Sequence, residues 1–255
     1  MNRTGALSVS LLVVACAFAG CATSTTYVLK DGGATDSASP LDGGGKDTSQ
    51  PPTDAQKSET FIPPVVDASN CKGTGLAGCT PQDVCTFSPT APPPPATAVG
   101  ACTPSDVTNF YDWCISPGDS TQCTALQNSK PACFACLITP DTSAQYGALI
   151  SDVNNLIKNN IAGCFSVKGN GKCEGAVASD QQCQSEACPD VVCPVPSGDT
   201  QALTDLNKCL TDAEKTNCAT YGQAAASCLT NPACTGSDFQ STYTLVATAI
   251  CVNGN

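Results

Sequence analysis

Residues 114–136 read CISPGDSTQCTALQNSKPACFAC. The spacing of their four cysteines returns at 164–188, CFSVKGNGKCEGAVASDQQCQSEAC, and at 209–234, CLTDAEKTNCATYGQAAASCLTNPAC. In each stretch the second cysteine follows the first by nine residues and the third follows the second by ten. The fourth closes the stretch three, five or six residues on. The stretches begin at intervals of 50 and 45 residues. Apolar residues repeat with them: Tyr111, Ile161 and Leu206 stand three residues before the first cysteine, and Ile115, Phe165 and Leu210 one residue after it. Positions i, i+3 and i+4 share one helical face, so each unit sets a cysteine between two apolar residues on one stripe. Self-similarity at a fixed period marks a repeated unit. The expected fold is mainly α, small and disulfide-rich. It has three stapled helical hairpin units with long loops, at about 102–139, 153–191 and 198–236, followed by a C-terminal helix over 237–251.

Eighteen of the 20 cysteines lie between Val66 and the C-terminus. That is close to one residue in ten, the density of a disulfide scaffold and rare in reducing compartments. A cysteine-rich helical domain is therefore expected over 67–255. Connectivity does not follow from spacing alone. A nine-residue step across a helix–turn–helix corner can bring Cα atoms within the ~4.4–6.8 Å that a bridge needs. On that ground the first two cysteines of each unit are paired: Cys114–Cys123, Cys164–Cys173 and Cys209–Cys218. Cys71, Cys79, Cys85, Cys102, Cys133, Cys136, Cys183, Cys188, Cys193, Cys228, Cys234 and Cys251 are expected to be bridged with partners open.

The chain begins with Asn2 and Arg3, then an apolar run from Leu7 to Phe18. The run is shorter than the ~20 residues of a membrane span and reads as the core of a signal peptide over 1–20. Phe18-Ala19-Gly20-Cys21 resembles the lipobox of bacterial lipoprotein precursors, with Phe18 where that motif usually has Leu. The resemblance implies that Cys21 is lipidated and becomes the first residue. Cleavage there also leaves an even number of cysteines for bridging. Ala22 after the anchor implies export to the outer membrane; secretion without an anchor is the alternative. The acyl chains would bury enough CH2 groups for stable anchoring.

Residues 21–66 are rich in Gly, Ser, Thr, Asp and Pro and poor in large apolar side chains, so a disordered tether is expected. About 45 residues of such coil span roughly 35–40 Å. Its Asp-Gly groups lack the alternating acids and following Glu of a calcium loop. The net charge is −11, and Arg3 is the chain's one arginine. Nucleic acid is therefore not expected as a partner, because phosphate binding needs clustered positive charge.

Along the domain, Pro92–Pro95 reads as an exposed rigid strap. Thr103-Pro104-Ser105-Asp106 combines a cap, a proline at the first helical position and an acid two residues on, starting a helix to about Ile115. Further helices are expected over about 121–128, 131–137, 174–186, 200–211 and 217–229. A last one, capped by Ser237-Asp238, carries Phe239, Tyr243, Val246 and Ile250 on one face. Between the first two units, Tyr146–Ile150 and Leu156-Ile157 flank Asn154-Asn155 and fit a short β-hairpin or a helix. Phe110, Tyr111, Trp113 and Phe134 are read as core of the first unit.

The chain has no histidine, so it has no Ser-His-Asp or Cys-His constellation and no His ligand for zinc. Asp106, Asp112, Asp141, Asp180, Glu186 and Asp205 are scattered at helix starts and in polar runs, and read as caps and solvated surface. No cofactor and no metal are expected. Cys133-Phe134-Ala135-Cys136 has the form of a thiol–disulfide exchange motif at a helix start, but no βαβ pattern surrounds it and it holds the place of the fourth cysteine in the other units. Residues 110–114 and 130–136 carry a resemblance, in style over 71–251, to the cysteine-rich predicted lipoproteins of bacteria. That resemblance implies an envelope location and no particular activity. The expected function is that of a non-enzymatic, lipid-anchored cell-envelope protein. Its stapled domain would bind a protein, glycan or small molecule. The alternatives are thiol–disulfide exchange at Cys133 and Cys136, or hydrophobic-ligand binding as in saposin-like proteins.

Overall fold

A computed structural model describes residues 28–29, 61, 78–96, 98, 100–116, 119–196 and 198–253. The signal peptide, Cys21, Cys71 and most of the expected tether lie outside the described residues. The elements, in chain order, begin with strand β1 (Val28–Leu29). Helix α1 (Pro104–Phe110) continues as a π-helical turn over Tyr111–Ile115 and is followed by α2 (Ser120–Ser129) and α3 (Pro131–Leu137). Strands β2 (Ile138–Pro140), β3 (Leu149–Ser151) and β4 (Leu156–Asn159) come next. Then follow α4 (Ile161–Val167), α5 (Gly171–Ala187), α6 (Thr200–Lys215), α7 (Ala219–Leu229) and α8 (Phe239–Ala247), which ends in a second π-helical stretch, Thr248–Asn253. The described fold is mainly helical and heavily cross-linked.

Helix starts follow local chemistry. The Thr103 hydroxyl accepts from the Asp106 amide, and the Asp106 carboxylate accepts from the Thr103 amide at 2.8 Å. Both groups are orphan donors at a helix start that the reciprocal box satisfies. Asp119 and Asp199 cap α2 and α6 through two amides each, and Asp238 with Ser241 forms a second box at α8. The first helix reaches Ile115 as the sequence suggests, but its last turn widens: the Ser116 amide donates to the Tyr111 carbonyl, five residues back. Both widened turns carry a bridged cysteine, Cys114 and Cys251.

The segment for which hairpin and helix were both open is a hairpin. β3 and β4 pair antiparallel with Ser151 opposite Ile157, and Asp152 organises the turn by accepting from the Asn154 and Leu156 amides at 2.8 Å. Asn155 takes the left-handed conformation, φ 60°, which Asn tolerates better than most residues. The sheet order is β1-β4-β3-β2, with β2 parallel to β3. Val28 and Leu29 fall within the stretch expected to be disordered, yet they form an edge strand on β4. Phe61, also in that stretch, packs against the core.

Eight disulfides are described, and they correct two of the three expected pairs. Cys114 bonds Cys123. Cys164 does not bond Cys173, nor Cys209 Cys218. Instead Cys164 bonds Cys234, Cys173 bonds Cys228, Cys183 bonds Cys218 and Cys188 bonds Cys209. The four cysteines of the second unit thus take the four of the third in reverse order, as nested rungs. The physical reason lies in how the helices pack. α5 and α7 run antiparallel; α5 carries Cys173 and Cys183, and α7 carries Cys228 with Cys218 as its N-cap, each pair ten residues apart, a helical rise of about 15 Å. Two rungs therefore line up across the pair, with Cα–Cα distances of 5.4 and 5.8 Å. The nine-residue steps of the second and third units span helix ends, and there both cysteines bond the other unit instead of each other. In the first unit Cys133 bonds Cys102 at the unit's start, and Cys136 ties the unit outward to Cys251. Cys79 bonds Cys193, and Cys85 is disulfide-bonded.

Two buried clusters meet along α5. Cys173, Ala176, Val177 and Ala178 belong to one, Cys183 and Ala187 to the other. Phe110 is fully buried. It meets Phe134 edge-on at 5.2 Å and Tyr243 at 6.1 Å, while the Tyr243 hydroxyl donates to the Val107 carbonyl. Of the first unit's aromatics, Phe110 is core, while Tyr111, Trp113 and Phe134 are half-buried against the same cluster.

Non-reducing peptide mapping should recover Cys173 with Cys228 and Cys183 with Cys218, and a peptide linking Cys164 to Cys173 would overturn the nested order. Replacing Cys173 and Cys228 together by Ala should cost about 3 kcal/mol in denaturant unfolding. The neighbouring rungs already restrict the unfolded chain, so only a loop of about 20 residues is released.

Candidate functional site

A groove opens between the proline strap, the sheet and α5. The strap is fastened at two points. The Thr90 amide donates to Gln182 Oε1 at 2.9 Å, and Gln182 Nε2 returns a bond to the Thr90 carbonyl at 2.8 Å. Further along, the Ala96 amide donates to the Tyr146 carbonyl and the Tyr146 amide to the Pro94 carbonyl. Prolines suit such a span because they hold an extended backbone without needing amide partners. Phe87 ties its start to the helices, edge-on against Tyr221 at 5.3 Å.

The lobe beneath the strap holds about 630 Å³, between Pro92 and Pro93, Tyr146 of the β2–β3 connection, and Gln181 and Glu186 of α5. A second lobe of about 320 Å³ lies beneath Pro189–Val191 and reaches Leu206 and Leu210 of α6. Asp141, Ile150, Lys158 and Ser185 line both, so the two lobes adjoin across these side chains and are taken together as the groove. Its wall mixes apolar surface with acids. Burial raises the Asp152 carboxyl above its ordinary value; the amides of Leu156 and Asn154 oppose the rise, and Asp190 and Asp141 add to it. Asn154 Nδ2 donates to Asp190 at 2.9 Å, and the Tyr146 hydroxyl donates to the Asp141 carbonyl. Burial also raises the Tyr146 phenol. The arrangement suits a neutral or cationic ligand with an apolar part.

Of the acids singled out in the sequence, the structure brings only Asp141 and Glu186 to this groove. Asp106 is a cap. Burial works against its charge, but the Lys130 ammonium at 2.8 Å and the bonds from Thr103 prevail and hold its carboxyl low. Asp112 and Asp205 are exposed. Asp180 departs from the surface reading: it is fully buried on α5 and accepts from Gln184 Nε2 at 2.9 Å.

Asp180 also belongs to a pairing that sequence reasoning missed. Glu214 of α6 comes close to it where α7 presents Gly222. A Cβ on Gly222 would stand 2.9 Å from Glu214 Cγ and in ordinary contact, 3.6 Å, with Asp180 Oδ1, so the bare glycine leaves the room that Glu214 uses beside Asp180. Burial, and then the charge of Asp180, raise the Glu214 carboxyl from 4.5 to about 7, with Lys215 opposing. The one signal in the sequence was an isolated glycine inside a helix, which marks close approach. Neither carboxyl lines the groove.

Every described cysteine is disulfide-bonded. Cys133 and Cys136 of the C-x-x-C segment are buried and joined to different partners, Cys102 and Cys251, so they do not form a redox pair with each other. The sulfurs of Cys79, Cys193 and Cys209 cluster within 4.8 Å of one another, but they belong to two bridges and present no thiolates to a metal. Among the described residues, no helix is long and apolar enough to cross a membrane. No protein-family model, curated protein or solved structure matches the chain.

Two predictions follow from these contacts. Glu214 has a folded-state value above its unfolded one, so the folded protein binds the extra proton between 4.5 and about 7. Its stability contribution is full below 4.5 and is lost as pH rises through 7. Glu214→Gln should therefore leave thermal stability unchanged at pH 4 and raise it at pH 8. The gain should be about 1–2 kcal/mol, reduced from the full linkage value because the side chain is partly solvated. Gly222→Ala should destabilise by about 1–3 kcal/mol in denaturant unfolding, because the clash outweighs alanine's better helix propensity.

Proposed function

We propose that this chain is a lipid-anchored protein of the bacterial cell envelope, held on the outer membrane through Cys21. Its cross-linked domain binds a partner rather than catalysing a reaction. The observation that carries the reading is the closure of every described cysteine in a bridge. Such bonds persist in oxidising compartments outside the cytosol, which is where the lipobox-like segment would send the chain. The separate partners of Cys133 and Cys136 favour a structural role for them over thiol–disulfide exchange. The strapped groove supports binding. It is walled by Ile150, Lys158 and Asp141 and held open by a scaffold that disulfides keep rigid. Its acids favour a neutral or cationic protein segment, glycan or small molecule over an anionic one.

The test is expression of the full chain in a Gram-negative host, followed by membrane fractionation and intact-mass measurement. The expected product starts at Cys21, carries lipid mass and sediments with the outer membrane, and Cys21→Ser moves it to the soluble fraction. A mature protein without lipid, or cut elsewhere, overturns the anchor. Turnover in a broad hydrolase panel, abolished by changing one acid such as Asp141, overturns the binding role.

A further inference from the structure

The stretch with the composition of a free tether is fastened to the domain at two places. Val28 lies opposite Ile157 and Leu29 opposite Leu156, as the edge strand on β4. Val28 also packs against the larger core cluster, and so does Phe61. At Phe61 the approach to α5 is close. A Cβ on Gly175 would stand 2.6 Å from Phe61 Cβ, so the bare glycine admits the ring. Strand pairing on one side and ring packing on the other are independent contacts, and both hold residues that composition alone assigns to coil.

These contacts change how an anchor would act. Val28 follows Cys21 by seven residues. An extended chain covers about 3.3–3.6 Å per residue, so at most ~25 Å separates the lipidated residue from β1. A free coil of about 45 residues averages roughly 35–40 Å and stretches far beyond that. We propose that β1 is a clamp that shortens the tether to a seven-residue leash and holds the β1–β4 edge of the domain against the membrane bearing the anchor. The partner of that edge is the lipid–water interface, and the proposal rests on the lipidation of Cys21 argued above. Lys158 of β4 lines the groove, so the groove travels with this edge.

The test uses the full lipidated chain in a supported phosphatidylethanolamine–phosphatidylglycerol bilayer, with neutron reflectometry to read the height of the protein layer. The wild type should begin within ~25 Å of the headgroups, the reach of seven extended residues. Val28→Pro with Leu29→Pro removes both backbone donors and cannot pair as β1 does. This variant should open a hydrated gap while keeping the wild-type disulfide map, which shows that the domain is folded. Equal heights for the two proteins overturn the clamp. Two further readings separate the clamp from the anchor. Intact mass reports lipid on Cys21. Hydrogen exchange of the peptide covering 28–29 reports the pairing, and should be about tenfold or more slower than in a free peptide. Lipid present with coil-like exchange sinks the clamp alone. Protected exchange with no lipid sinks the membrane contact through the anchor.

Discussion

Four nested disulfides between two chain segments, 164–188 and 209–234, are the constraint on which the rest of this fold depends. Each rung shortens the loop that the next must close, so the entropy lost by the unfolded chain is shared among them and does not add rung by rung. The ladder fixes α5 against α6 and α7 and leaves little freedom of register. Outside the ladder, Cys136–Cys251 ties α3 to the end of α8, and Cys79–Cys193 ties the start of the strap region to the segment just after α5. A domain with few aromatic residues obtains by covalent closure what a larger apolar core would otherwise supply.

That arrangement explains the unusual character of α5. It has ten buried residues, yet Ser179, Asp180, Gln181 and Gln184 are among them. A central helix held by packing alone is expected to be apolar on all sides. Here the staples hold it, and its alanines and glycines let neighbours approach closely. The enclosed polar groups then meet one another: Gln184 bonds Asp180, and burial together with the charge of Asp180 raises the Glu214 carboxyl. The cost of bringing two carboxyls together is tolerated because one of them takes up a proton as the pH falls below neutrality.

The strap and the hairpin are tied to the same helix and sheet from the outside. Gln182 on the outer side of α5 holds Thr90, and Tyr146 holds Pro94 and Ala96. The groove between them therefore has fixed walls on both sides, which is the usual preparation for binding with little loss of ligand or loop entropy. Its position beside β4 links it to β1, which pairs along the same strand.

Much of this was legible in the chain. Thr103, Pro104 and Asp106 announce a helix start because capping is a contact between near neighbours, and the structure has that box. The helical spacing of Tyr243, Val246 and Ile250 marks a buried face for the same local reason. Cysteine density set the fold class. Partner choice among cysteines was not legible, because it depends on which helices lie side by side. Cys173 sits nine residues from Cys164 and 55 from Cys228, and it bonds the distant one because α7 runs antiparallel to α5. Likewise, Glu214 and Gly222 gain their meaning only where three helices cross, and Val28-Leu29 becomes a strand only because β4 offers an unpaired edge. The sequence by itself determined the helices, their caps and the reliance on disulfides, since these rest on interactions within a few residues. Only the tertiary structure decided the nested pairing, the carboxyl pair and the groove, since each brings together groups that are far apart along the chain.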